Sequence, residues 1–222
     1  MLQKFFLRIN QCALRYRKKV SHEKNSLIPE MRVSSLLPGA AVLVLLAGVA
    51  DAADDSIKEK VSLCTSCHGE GGVSQTENTP SLAGQPDLFL QWQLVFFRSG
   101  SRKNDVMEPI AEQLNNEDIR NLGAYFASLP PATTTKPGES SQAESRAKNV
   151  AGRSCASCHT DTFAGTKGTA RIAGQREDYL VKALHDYKSG ARSGSGVAAM
   201  ASVAYSLSDD EISALAHYLA HL

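Results

Sequence analysis

Cys64-Thr-Ser-Cys67-His68 and Cys155-Ala-Ser-Cys158-His159 each place two thiols three residues apart with an imidazole directly behind the second. That arrangement fits covalent attachment of a c-type haem. Two thiols so spaced reach the two vinyl groups on one edge of a porphyrin, and the adjacent histidine lies under the ring and reaches iron from the proximal side. Four cysteines in two pairs could instead form one zinc site, or serve as redox disulfides of a thioredoxin-like protein. Neither alternative explains a histidine after each pair, and the strand context expected of the redox motif is absent.

A sixth iron ligand follows by elimination. Beyond Met1 and Met31 the chain holds only Met107 and Met200, which lie 39 and 41 residues after His68 and His159. A methionine is ordinarily flexible core filling. Here the matched positions, each followed four residues later by an alanine (Ala111, Ala204), predict thioether ligation. Histidine and methionine together favour ferrous iron and raise its potential relative to two histidines. Three histidines remain in the second half. His217 and His221 fall near the end of the last helix, where a positive tip is favourable and exposure is expected, and His185 lies inside an amphipathic helix. All three are read as non-ligands.

The elements that must position these groups occur twice. Leu82-Ala-Gly-Gln85 recurs as Ile172-Ala-Gly-Gln175, Phe97-Arg-Ser-Gly100 as Tyr187-Lys-Ser-Gly190, and Glu117-Asp-Ile119 as Asp210-Glu-Ile212. This is a duplication, so two similar domains are expected rather than a solenoid. Pro130-Pro131 and the Thr- and Ser-rich stretch behind it read as a linker. The expected order is an N-terminal extension and signal peptide over 1–52, a first domain over 53–130, a linker over 131–146 and a second domain over 147–222. Domains of this size gain little stability from a hydrophobic core alone, so a buried group should complete each one.

The periodicity is helical throughout. Tyr179, Leu180, Ala183, Leu184 and Tyr187 share one face of a helix over 176–189 that Gly190 ends, and its counterpart runs from Pro86 to Gly100. Ser208 and Glu211 form a capping box ahead of Ile212, Leu215, Tyr218 and Leu219. The first half repeats that face as Ile119, Leu122, Tyr125 and Phe126, until Pro130 stops it. Shorter helices should lead into each cysteine pair.

From Met31 the chain reads as a secretory signal: a basic start, an apolar run from Leu36 to Ala50, and a small-x-small cleavage site at Ala50-Asp51-Ala52. The run is too short for a bilayer crossing and holds Pro38 and Gly39. The thirty residues before Met31 are long for a signal n-region, so translation is expected to start at Met31. Of 24 basic and 23 acidic residues, 16 and 20 lie beyond residue 52, leaving a mildly acidic mature chain with no basic patch suited to nucleic acid. The acidity sits in residues 53–130, with 11 acidic against 6 basic side chains, whereas 131–222 carry 9 and 10. An ordinary solvated surface accounts for that asymmetry, although it could also orient a charged partner.

With both haem motifs, both methionines and the Leu-Ala-Gly-Gln and aromatic-x-Ser-Gly signatures placed, residues 55–222 resemble the dihaem cytochrome c4 family. The resemblance implies an all-α chain of two tandem class I cytochrome c domains, each wrapped around one covalently bound haem c, with the haem propionate edges facing each other. It also implies a periplasmic electron carrier, soluble or loosely membrane-associated, passing electrons from a respiratory donor towards a terminal oxidase. In the family a proline, here Pro80, precedes Leu-Ala-Gly-Gln, and its neighbourhood helps supply the carbonyl that orients the proximal histidine. The second copy has Ala170 there, which predicts a less secure hold on His159. Gly194-Ser-Gly196 before Met200, against Lys103-Asn-Asp105 before Met107, predicts a flexible loop and a more labile second axial bond.

The expected site is therefore Cys64, Cys67, Cys155 and Cys158 for haem attachment, His68 and Met107 on the first iron, and His159 and Met200 on the second. Two filled axial positions point to electron transfer without bond chemistry, through transient docking with redox proteins. Two other readings stand beside it. The chain could be the cytochrome subunit of a flavocytochrome c sulfide dehydrogenase or a similar complex, or an enzyme acting at haem, such as a thiosulfate dehydrogenase or a peroxidase. The last would need an open iron position, which the paired methionines argue against.

Overall fold

Each half of the chain repeats one helical arrangement, and a capping box explains where the last helix of each half begins. The structure is a computed structural model. It describes residues 48–133, 142–194 and 196–222, with side chains from residue 57, and all of these belong to one compact unit. The expected signal segment, apart from the backbone of 48–52, and the middle half of the expected linker, residues 134–141, lie outside the described residues.

The first half comprises α1 (Gly48–His68), a 3-10 turn (Glu70–Gly72), α2 (Asp87–Arg98), α3 (Met107–Glu112) and α4 (Asn116–Ser128). The second comprises α5 (Gln142–Ser154), α6 (Ala156–His159), α7 (Glu177–Ser189), α8 (Ala198–Tyr205) and α9 (Asp209–Ala220). No strand occurs among the described residues beyond an isolated Thr166–Thr169 bridge. None of the described helices is long and apolar enough to cross a membrane.

α2 packs on α3 and α4, and α1 on α4; in the second half α7 packs on α8 and α9, and α5 on α9. The expected box at α9 is formed: Ser208 Oγ accepts from Glu211 N–H at 3.2 Å and Glu211 Oε2 accepts from Ser208 N–H at 2.9 Å. α4 has an equivalent built from Asn115 and Asp118, with bonds of 2.9 and 3.0 Å. Its Asn-x-x-Asp pattern departs from the usual Ser/Thr-x-x-Glu box but closes the same two bonds.

Ile119, Leu122 and Phe126 of α4 and Ile212, Leu215 and Leu219 of α9 are buried as the shared periodicity predicts. The two tyrosines of that face are the exceptions: Tyr218 is half-buried, and Tyr125 is 37% exposed and meets Phe126 edge to face at 5.1 Å. The helices entering the two cysteine pairs also differ. α1 runs unbroken through Cys64 and Cys67 for 21 residues, longer than the short lead-in expected, whereas in the second half Cys155 breaks the run into α5 and α6.

The glycine of each Leu/Ile-Ala-Gly-Gln segment has a structural reason. Gly84 and Gly174 take φ of 66° and 69°, a region that disfavours any other L-residue. Their amides bond to Phe126 O and Leu219 O, both at 2.9 Å. Each segment is thereby tied to the end of its own C-terminal helix, which leaves the next residue, Gln85 or Gln175, free to reach across to the other half.

Candidate functional site

Cys64 is half-buried on α1 and Cys67 exposed; Cys155 and Cys158 repeat that contrast, and none of the four is in a disulfide. Burial pushes the Cys64 and Cys155 thiols up to about 11. His68 and His159, which end α1 and α6, are both buried.

The histidines are held alike. Nδ1 of His68 lies 2.8 Å from Pro80 O, and Nδ1 of His159 lies 2.7 Å from Ala170 O. A carbonyl only accepts, so each Nδ1 donates and each Nε2 keeps its lone pair, the tautomer a metal requires. Burial holds both imidazoles below their usual 6.5, against the opposing effect of the carbonyl bonds. The weaker hold expected from Ala170 is not observed: the acceptor is a backbone carbonyl, which alanine presents as well as proline does.

Beyond each carbonyl the two halves clasp one another. Ser81 N–H, on the same peptide group as Pro80 O, donates to Gln175 Oε1 at 2.8 Å, and Gln175 Nε2 donates to Ser81 O at 2.9 Å. The mirror pair joins Gln85 to Arg171: Arg171 N–H donates to Gln85 Oε1 at 3.0 Å, and Gln85 Nε2 donates to Arg171 O at 2.8 Å. Arg176 Nη1 to Ser74 O at 3.2 Å and Asn78 N–H to Asp178 Oδ2 at 3.0 Å add to the interface.

One continuous cavity of about 570 Å³ crosses this interface. Its walls include Cys64, Cys67, His68 and Met107 from the first half and Cys155, His159 and Met200 from the second, so the structure brings seven of the eight expected residues to one space. Cys158 is exposed and not part of the wall, and His185, His217 and His221 do not line it. Leu90, Leu94 and Phe97 of α2 and Leu180, Leu184 and Tyr187 of α7 make much of the lining apolar.

The two methionines are positioned by different means. Asn104 Oδ1 accepts from the amides of Val106 and Met107 at 3.1 and 2.8 Å, which fixes the entry to α3. The second loop has no such asparagine. Gly194 there takes φ of 109°, and a Cβ on it would meet Ser101 O at 2.4 Å. This glycine thus permits a close approach to the first half, a reason other than the flexibility its composition suggests. Ser195 lies outside the described residues.

A basic cluster that the sequence reading missed stands where the halves meet. Arg102 Nη1 and Arg192 Nη2 both donate to Gln93 Oε1, at 2.6 and 2.9 Å, and Arg102 Nη2 lies 3.3 Å from the Tyr179 hydroxyl. Arg102 stacks on Phe97 at 4.5 Å and Arg192 on Tyr187 at 4.6 Å, so the repeat that matched the aromatic residues also relates the arginines. Burial raises the Tyr179 hydroxyl pKa, but the two guanidiniums outweigh it and leave the group below its usual value. Arg192 Nε is buried without a partner. Two guanidiniums sharing one neutral acceptor on a cavity wall call for an anion.

These features fit two haem c groups. The unpaired thiols stand beside neutral histidines in an apolar space, and the buried basic cluster suits the carboxylates that a haem carries. Arg102, Arg192 and Tyr179 would hold those carboxylates.

Comparison with known proteins agrees. The cytochrome c family model matches residues 145–222, and that of cytochrome c oxidase, cbb3-type, subunit III matches residues 57–126. Cytochrome c4 of Pseudomonas aeruginosa is 31% identical over 197 residues, spanning 84% of this chain and 98% of that one. A protein of Thiomonas intermedia named thiosulfate dehydrogenase electron acceptor is 29% identical over 203 residues, spanning 87% and 92%. The crystal structure of reduced recombinant cytochrome c4 from Pseudomonas stutzeri superimposes with a TM-score of 0.67 at 29% identity, covering 76% of this chain and 97% of that one.

Helical halves of class I cytochrome c type, each with a Cys-x-x-Cys-His segment, define a dihaem c-type cytochrome: an electron-transfer protein carrying two haem c groups, and not an enzyme. The chain belongs to the cytochrome c4 family.

Proposed function

We propose that this protein is exported to the periplasm by the segment before residue 53 and carries electrons there from a respiratory donor towards a terminal oxidase. In this reading residues 53–130 and 147–222 are the two haem domains and 131–146 the linker. Cys64 and Cys67 would hold one haem and Cys155 and Cys158 the other, with His68 and Met107 as ligands of the first iron and His159 and Met200 of the second. When bound, each haem supplies a one-electron centre that alternates between ferric and ferrous iron.

The observation that carries the reading is the single cavity shared by both sets of ligands, since it keeps two electron sites together behind one protein surface. The chain's own residues define the rest of the task. Pro80 and Ala170 orient the histidines. With haem bound, the methionines would supply the remaining iron ligands and exclude substrates, and the Arg102–Gln93–Arg192 cluster would balance negative charge between the sites.

A docking face is available on the first half. Leu63 and Val106 both line the cavity mouth and are 51% and 61% exposed. At the equivalent positions of the repeat the second half has Ser154 and Ala199. A small apolar rim inside an acidic half suits brief, charge-guided contact with a redox protein.

The resemblance to a thiosulfate dehydrogenase electron acceptor favours a second reading, in which the protein serves as the electron-accepting subunit of a dehydrogenase, as a flavocytochrome subunit would. Gentle purification of the native protein from periplasm and membranes separates the two. Recovery of the dihaem chain alone, with its reduced form reoxidised by membranes holding the terminal oxidase, supports the carrier. Recovery with an equimolar dehydrogenase subunit overturns it in favour of the second reading.

A further inference from the structure

Away from the haem cavity, His217 in the last turn of α9 and His221, which caps that helix, lie one turn apart beside the first residue of α7, Glu177. Residues four apart on a helix lie on one face. The two imidazole rings sit with centroids 4.3 Å apart and planes tilted by 41°. One donor atom from each of Glu177, His217 and His221 falls within 4.8 Å of the others.

We propose that Glu177, His217 and His221 form a surface site for one divalent transition-metal ion of the zinc type. Two imidazoles and a carboxylate are the borderline donor set that such ions prefer over calcium or magnesium, which favour all-oxygen sites. Three protein donors leave the fourth tetrahedral position to water. With bonds near 2 Å the donors would close to roughly 3.3 Å apart, a contraction that side-chain rotation can supply.

The hydrogen bonds already present favour this geometry. His221 Nδ1 lies 2.7 Å from His217 O, so its Nδ1 donates to the backbone and its Nε2 keeps the lone pair, as metal-binding histidines usually do. His217 Nδ1 lies 3.1 Å from Glu177 Oε2, an exposed contact that contributes little by itself and is readily exchanged for a metal bond. The site would pin His221 to α7, the helix that also carries Tyr179 and Tyr187 on the haem side.

The test uses the haem-loaded protein without an added histidine tag, titrated calorimetrically with Zn2+ at neutral pH. Zinc is redox-inert and leaves the iron oxidation states unchanged. One ion per chain is expected, with a rise in thermal midpoint and an unaltered haem spectrum. His217→Ala and His221→Ala should each weaken uptake at least about tenfold, while His185→Ala should not. All three are solvent-accessible enough for the variants to fold, and the haem spectrum checks that they do. No uptake at excess zinc, or uptake that survives the double His217→Ala/His221→Ala change, overturns the proposal and leaves the cluster as a simple hydrogen-bonded contact.

Discussion

Gln175 and His68, from opposite halves of the chain, grip the two ends of one peptide group: His68 Nδ1 donates to Pro80 O at 2.8 Å, and Ser81 N–H donates to Gln175 Oε1 at 2.8 Å. His159 and Gln85 hold the Ala170–Arg171 peptide in the same way, at 2.7 and 3.0 Å. Hydrogen bonds in series polarise one another. Each half thus strengthens the carbonyl that orients the other half's histidine.

Gln175→Ala should therefore act at a distance. It leaves both backbone polar groups of Ser81 without their partner at a buried position, at a cost of about 1–3 kcal/mol each. It should also shift the reduction potential of the haem in the first half, and Gln85→Ala that of the second. Voltammetry of both variants checks this, together with thermal unfolding. Destabilisation with both potentials unmoved would reduce the clasp to plain domain glue.

Asn104→Ala should loosen Met107 without touching it. The variant removes the acceptor for the Val106 and Met107 amides, worth about 1 kcal/mol, and so should raise the open form of the first axial site about fivefold. Added imidazole reads this as tighter binding to the haem of the first half alone. Unchanged binding would mean that packing, and not the asparagine, holds the methionine.

Acid should weaken the junction between the halves in one identifiable step. The Arg176 bond holds Asp178 below its usual 3.8, and the Asn78 amide of the first half adds to this. Because the folded value is the lower one, the contact contributes fully above 3.8 and is lost as pH falls through the folded value. Asp178→Asn should lower the thermal midpoint at neutral pH by an amount equivalent to less than about 1 kcal/mol, as suits a partly exposed pair. The gap from the parent protein should close in strong acid. A gap that persists there would assign the effect to lost packing.

Residue type and spacing made much of the site legible, because thiol pairs with a trailing histidine and matched methionines are chemistry-bearing signals at short range. The helical repeat was legible for the same reason: Ile119 and Ile212 occupy equivalent buried places in a shared period. What stayed hidden lies between the halves. Nothing local in Leu-Ala-Gly-Gln says that its glutamine crosses to the other half, although its recurrence marked it. Arg102 and Arg192 sit two residues past the glycines of the matched aromatic-x-Ser-Gly segments, and extending the alignment by that much would have paired them. The support of His159 was misjudged because the substitution at Ala170 changes a side chain, while the bond uses the backbone.

The central claim is that two histidine–methionine haem sites share one protein. Its most direct test is a spectroelectrochemical titration of the parent protein beside Met107→Ala and Met200→Ala, followed in the visible and in the near-infrared methionine-to-iron band. Two one-electron steps are expected, each variant lowering one of them, opening that site to small ligands and keeping both haems covalently bound. A single haem per chain, or a titration and spectrum that either methionine variant leaves unchanged, would contradict it.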